Sequence, residues 1–160
     1  VQDLAAAAGV DSQLSESLAD ERDDWLDLLL ATRIAPGFDD NCLTVIRHYP
    51  ASQAALARLC PADKTVADRF EIFLGATELA NGYVELTDVH EQRQRILTDN
   101  EDRRRRGRTQ RPVDQGLLAA LEHGLPACAG VAMGLERLQM LHDETDDIRD
   151  VITFAFETDS

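Results

Sequence analysis

The pattern of apolar and polar positions divides the chain into a helical opening and a longer stretch of short apolar runs separated by turns. Residues 1–36 read as helix. Trp25, Leu26, Leu28, Leu29, Leu30 and Ile34 supply an apolar side, and Asp20, Glu21, Asp23, Asp24 and Asp27 load the first turns with acid. Asp11 and Asp20 are candidate caps, and Pro36-Gly37 stops the pattern. Cys42 to His48 is β-rich and reads as a strand ended by Pro50, after which Ser52 caps a short helix from Gln53 to Leu59. Two apolar runs, 70–73 and 77–80, flank Leu74-Gly75-Ala76 and signal a hairpin. Asp88 with Glu91 makes a capping box for a helix that is polar almost throughout, so it is expected on the surface until Gly107 ends it. A second helix, Pro112 to His123, carries Leu117, Leu118 and Leu121 on one face and closes at Gly124 and Pro126. Cys128 to Gly134 is a strand of small residues, Leu135 to Leu141 a helix, Asp143 to Asp150 an acidic loop, and Val151 to Phe156 a last buried strand. These elements predict an α+β fold. Its antiparallel sheet is assembled from 42–48, 69–86, 128–134 and 151–156, with helices packed around it.

Composition narrows the picture only slightly. One hundred and sixty residues with 44% hydrophobic content suit one domain, read here as a helical lead-in over 1–40 and a main body over 42–156. No apolar run is long enough to span a membrane and no signal-peptide pattern is present, so a cytoplasmic location is expected. Cys42, Cys60 and Cys128 match no zinc or disulfide spacing, and His48, His90, His123 and His142 form no ligand pair in sequence. The net charge is −14, yet residues 93–111 hold eight arginines against Asp99, Glu101 and Asp102. Removing that segment's +5 leaves −19 on the rest, which speaks against a broad nucleic-acid face. The arginines are read as a solvated helix end whose cations favour the C-terminal dipole.

Candidate chemistry concentrates between Arg69 and Asp88. Glu71, Glu78 and Glu85 recur every seven residues inside runs that otherwise read as buried strand. Stripping a carboxylate of water costs several kcal/mol unless a cation meets it, so a metal or a ligand ammonium is one reading and a solvent-facing edge hairpin the other. A Leu74-Gly75 turn would set Glu71 directly opposite Glu78, where a bridging divalent ion would relieve the repulsion. Glu78 and Glu85, an odd number apart, share a face only if a bulge at Asn81-Gly82 adds a residue. Further on, Gly130, Ala132 and Gly134 alternate and leave a strand face without bulky side chains.

The runs RFEIFLGATELANGYVELTDVHEQRQR and GVAMGLERLQML resemble the C-terminal half of a class II lysyl-tRNA-synthetase catalytic core, the second of them its motif 3. The phrase HYPASQAALA, with Thr87 and Ala132 where lysyl synthetases generally carry asparagine and glycine, is similar to the branch that attaches β-lysine to elongation factor P. Class II motifs 1 and 2 have no counterpart here, so the resemblance implies a parent enzyme about twice as long and homodimeric. It also implies the activity: ATP activates lysine or β-lysine as an adenylate, which passes to a lysine of elongation factor P, a protein acceptor in place of tRNA. The isolated chain is then expected to be inactive. By the same resemblance Glu71 and Glu78 hold Mg2+ against the ATP phosphates. Glu78, Leu79, Gly134 and Arg137 make the ATP site, with Arg137 the catalytic cation on adenine or the terminal phosphate. Glu85, Asn81 and Ala132 receive the amino acid, Glu85 taking its ammonium. A lysyl-tRNA synthetase fragment and a non-catalytic amino-acid or nucleotide sensor are the alternatives.

Overall fold

The computed structural model describes residues 22–155. Four strands, β1 (Leu43–Arg47), β2 (Arg69–Leu74), β3 (Thr77–Val84) and β4 (Ala129–Met133), form one antiparallel sheet in the order β1-β2-β3-β4. Among the described residues four α-helices accompany it: α1 (Arg22–Leu29), α2 (Val89–Arg105), α3 (Gln115–His123) and α4 (Leu135–Asp143). The predicted α+β class and three of the four predicted sheet segments are therefore present. No helix among the described residues is long and apolar enough to cross a membrane. The chain forms two compact units. One gathers the residues through Ile46, Glu71–Asn81 and those from Ala132 onward; the other comprises Arg47–Phe70 and Gly82–Val131.

In the first unit Trp25 of α1 is fully buried, with Ala35, Phe73, Leu79 and Ala80. The apolar pattern of α1 does not continue as one regular helix. Ala35 N–H reaches back to Leu30 O, closing a π turn over Leu30–Ile34, and a 3-10 turn over Ala35–Gly37 follows with Pro36 near its start. Proline lacks the N–H that an uninterrupted helix needs there. The candidate caps Asp11 and Asp20 lie outside the described residues. Next, residues 38–42 wrap the β2–β3 turn: Gly75 N–H donates to Asp39 O at 3.3 Å, and Phe38 packs edge-on against Phe73 with ring centroids 5.5 Å apart. Gly75 sits at φ 52 with the Asp40 carboxylate where a Cβ would be, so any other residue would strain the backbone and push that carboxylate aside.

The second unit buries Ala54, Ala57 and Ala67 as a cluster, with Leu59 and Tyr83 packed on it, and Leu118 and Leu121 of α3 elsewhere. Here the expected Gln53–Leu59 helix is wrong. Only Ala51–Gln53 makes a 3-10 turn; Ala55 adopts φ 50, and Ala57 and Leu59 enter antiparallel bridges with Glu85 and Ala67. Backbone pairing to distant segments outweighs alanine's helix propensity. Capping follows the sequence closely elsewhere. The Asp88 carboxylate accepts from His90 and Glu91 N–H, which holds it below the usual carboxylate range, and Asp114 accepts from Leu117 N–H. Pro112 therefore precedes α3 and does not begin it. Gly107 (φ 66) follows the end of α2 and Gly124 (φ 115) that of α3, as expected.

Two further expectations need correction. Polar α2 is not simply a surface helix, because Gln92 and Asn100 are buried. The Asn100 amide is satisfied twice, donating to Arg111 O and accepting from Arg111 N–H, both at 2.8 Å. The predicted last strand over 151–156 is a 3-10 turn at Ile148–Asp150 followed by turn and bend, with Phe154 89% exposed and residue 156 outside the described range. The arginine run is committed locally: Arg104 pairs with Glu101 at 2.6 Å, Arg105 with Asp102, and Arg103 donates to Thr109 O.

Candidate active site

The β2–β3 hairpin turns on Gly75-Ala76, one residue later than the sequence suggested. Leu74 then flanks Thr77, and counting back sets Glu78 opposite Phe73 and Glu71 opposite Ala80. The direct Glu71–Glu78 pairing is therefore incorrect. The two glutamates are diagonal neighbours on one face, at the roughly 7–8 Å separation of such positions, within reach of long side chains. Glu71 is 8% exposed, whereas the Glu78 side chain is 38% exposed. The oxygen donors of two carboxylates are of the kind a hard cation such as Mg2+ takes.

Between the turn and Val84, whose N–H donates to Asp68 O, β3 carries seven steps against six on β2. That is the one-residue offset of a β-bulge. Toward β4 the register has no offset, since Gly134 N–H donates to Leu79 O and Glu85 N–H to Cys128 O, six residues apart on each strand. This register sets Gly134 opposite Leu79, Ala132 opposite Asn81, and Gly130 opposite Tyr83.

In the first unit four of the expected ATP-site residues converge. Gly134 is the N-cap of α4, and Arg137 stands in the first turn. The Arg137 Nη1 donates to Glu78 O at 2.8 Å and lies 3.7 Å from Glu78 Oε2. A Cβ at Gly134 would meet the Arg137 stem at 3.3–3.6 Å, so a bare glycine lets the guanidinium reach back to β3. Arg137 remains half exposed, with donors left for a phosphate. Asn81, on the same strand, has a buried Oδ1 with no hydrogen-bond partner. A buried orphan acceptor is costly, and a ligand N–H would satisfy it.

Glu85 falls in the second unit, half-buried. Its Oε1 lies 2.6 Å from where a Cβ on Gly130 would stand. The absence of that side chain is what allows the carboxylate to lie over the strand. Gly82 is equally tight: a Cβ there would meet Phe70 at 2.6 Å and Gly130 O at 2.7 Å. Sequence reasoning passed over Tyr83, although its alternation with Asn81 and Glu85 was the available signal. Burial, and secondarily the Glu85 charge, push the Tyr83 phenol above its ordinary value, against a smaller lowering by Arg69. Ultraviolet titration is expected to show Tyr83 ionising above the usual tyrosine range, and Glu85→Gln to move it back down. Because the folded value is raised, the associated stability is complete below about pH 10 and is lost as pH climbs through the folded value.

A strand pair carrying paired carboxylates, a glycine-floored third strand, and an arginine in the first turn of the following helix define a class II synthetase core. The chain matches the family "tRNA synthetases class II (D, K and N)" over residues 24–158, and it belongs to that family. More particularly, it is similar to proteins named elongation factor P–(R)-β-lysine ligase. That of Sodalis glossinidius (strain morsitans) is 46% identical over 152 residues, 95% of this chain and 47% of the relative. That of Klebsiella pneumoniae is 45% identical over 151 residues, 94% and 46%, and that of Pectobacterium atrosepticum 45% over 138 residues, 86% and 42%. The chain thus spans about half the length of these curated relatives.

Proposed function

We propose that this chain is the C-terminal half of an ATP-dependent ligase that activates lysine or β-lysine as an adenylate and transfers it to a lysine of elongation factor P. The observation that carries the reading is Glu85, a half-buried carboxylate laid over the bare backbone of Gly130. Such a group suits the ammonium of a lysine-like side chain and rejects uncharged analogues, which leave it buried without a counter-charge. In the first unit, Asn81, with its unpartnered acceptor, and Ala132 are the other residues we assign to the amino acid, on the strength of the family resemblance. Arg137, anchored on Glu78 O, orients ATP, whose adenine or phosphate its planar fork can meet while Leu79 and Gly134 line the nucleotide. Glu71 and Glu78 would hold Mg2+, which supplies charge neutralisation at the phosphates.

The relatives' names support elongation factor P as acceptor. Local ion pairing of Arg104 and Arg105 supports the same choice, because those cations are already engaged within α2. Apolar side chains left exposed in the first unit, Leu43 and Val45 on β1 and Met133 and Leu135 after it in the chain, suit burial against further protein in a cytoplasmic, homodimeric parent.

The test supplies the full-length enzyme with ATP, radiolabelled lysine or β-lysine, and either elongation factor P or total tRNA. Label is expected in the protein. Label entering tRNA alone would replace this reading with lysyl-tRNA synthetase, and ATP or amino-acid binding without any label transfer would replace it with a sensor.

A further inference from the structure

In the second unit His48, Cys60 and Asp68 bring one ligand atom each to within 4.8 Å of one another. Their sequence separations of twelve and eight residues match no metal motif, so only the fold reveals the group. Backbone pairing fixes all three. His48, at φ 61, donates its N–H to Arg69 O at 3.0 Å. Segments 58–60 and 66–68 form a small antiparallel ladder: Cys60 N–H donates to Val66 O, Asp68 N–H to Arg58 O, and Leu59 bridges Ala67. Cys60 and Asp68 therefore lie diagonally on one face of that ladder.

We infer that His48, Cys60 and Asp68 form a site for a borderline divalent transition metal of the Zn2+ class. An imidazole nitrogen, a thiolate and a carboxylate are the donor types such an ion takes, and three of them leave a fourth position open to water or another ligand. Tetrahedral bonds of about 2.0–2.3 Å place donor atoms roughly 3.3–3.7 Å apart, so the side chains need to close by about 1 Å. The half-buried Cys60 and Asp68 and the exposed His48 leave room for that movement and an entry path. Asp68 is already oriented. Arg58 Nε and Nη2 both bond its Oδ2, at 3.2 and 2.6 Å, which leaves Oδ1 for an ion. Charge balances as well. The thiolate and carboxylate offset the dication, and Arg58 is paired with Asp68. Mg2+ at Glu71 and Glu78 would involve oxygen donors only, so the two kinds of site are chemically distinguishable.

The experiment titrates Co2+ into the reduced, metal-free full chain, with folding followed by circular dichroism. One equivalent is expected to produce a near-ultraviolet thiolate-to-cobalt charge-transfer band with the intense visible bands of a four-coordinate ion, and Zn2+ should displace it. Cys60→Ser is expected to abolish the band, and His48→Ala and Asp68→Asn to weaken binding by roughly ten- to a hundredfold. Cys42→Ser with Cys128→Ser should leave it unchanged. On the unmutated chain, equimolar Zn2+ should slow alkylation of Cys60 but not of Cys42, a readout that does not depend on any variant folding. Absence of the band at several equivalents of Co2+, its persistence in Cys60→Ser, or alkylation of Cys60 unaffected by Zn2+ would each overturn the assignment.

Discussion

Replacing Glu78 by glutamine is expected to lower ATP–pyrophosphate exchange in the full-length enzyme by on the order of 10²–10³, or about 3–4 kcal/mol of transition-state stabilisation. The substitution keeps shape and removes charge at a side chain that is 38% exposed, so folding should change little. Two roles fall together on this residue. On the proposed reading its carboxylate, which also lies 3.7 Å from Arg137 Nη1, is one of two donors to Mg2+; its main-chain oxygen anchors Arg137 at 2.8 Å. Glutamine retains the second role and loses the first. The loss should therefore appear as a raised Mg2+ requirement, measured as exchange rate against Mg2+ concentration, while the fluorescence melting curve stays in place. A variant that exchanges normally at low Mg2+ would show that Glu78 does not hold the ion.

Substituting Glu85→Gln is expected to weaken use of lysine-like substrates about ten- to a hundredfold, since a hydrogen bond to a charged group contributes roughly 1.5–3 kcal/mol. ATP binding should remain nearly intact. Gly130→Ala supplies an independent route to the same phenotype. Its methyl would stand 2.6 Å from Glu85 Oε1, so the carboxylate must move while its charge is preserved. Calorimetry of both variants with ATP and with lysine or β-lysine separates the cases. Equal loss of ATP affinity in Glu85→Gln would remove Glu85 from the amino-acid site. Normal substrate affinity in Gly130→Ala would mean that the position of the carboxylate over the strand is unimportant.

Much of this protein was legible because local chemistry fixes it. Asp88 caps α2 through the N–H groups two and three residues on, and Gly107 and Gly124 follow the ends of α2 and α3 with positive φ. Arg137 lands in the first turn of α4 because the helix resumes at Leu135, as the string GVAMGLERL indicates. The α+β class follows from apolar runs of strand length set between such helices. These are interactions within a few residues, and sequence spacing specifies them directly.

What the sequence did not determine is what depends on partners far along the chain. Ala54 to Leu59 has helical composition, yet Glu85 and Ala67 draw its backbone into bridges. The apolar run after Ile148 has strand composition but finds no strand to pair with among the described residues. The hairpin turn slipped by one residue and shifted the glutamate register from opposite to diagonal, because the 38–42 loop presents Asp39 O and Asp40 to Gly75. The His48, Cys60 and Asp68 donors meet only through backbone pairings closed over six to twenty-one residues. A chain segment states its own preference; which backbone groups compete for it is settled only when the tertiary structure brings them together.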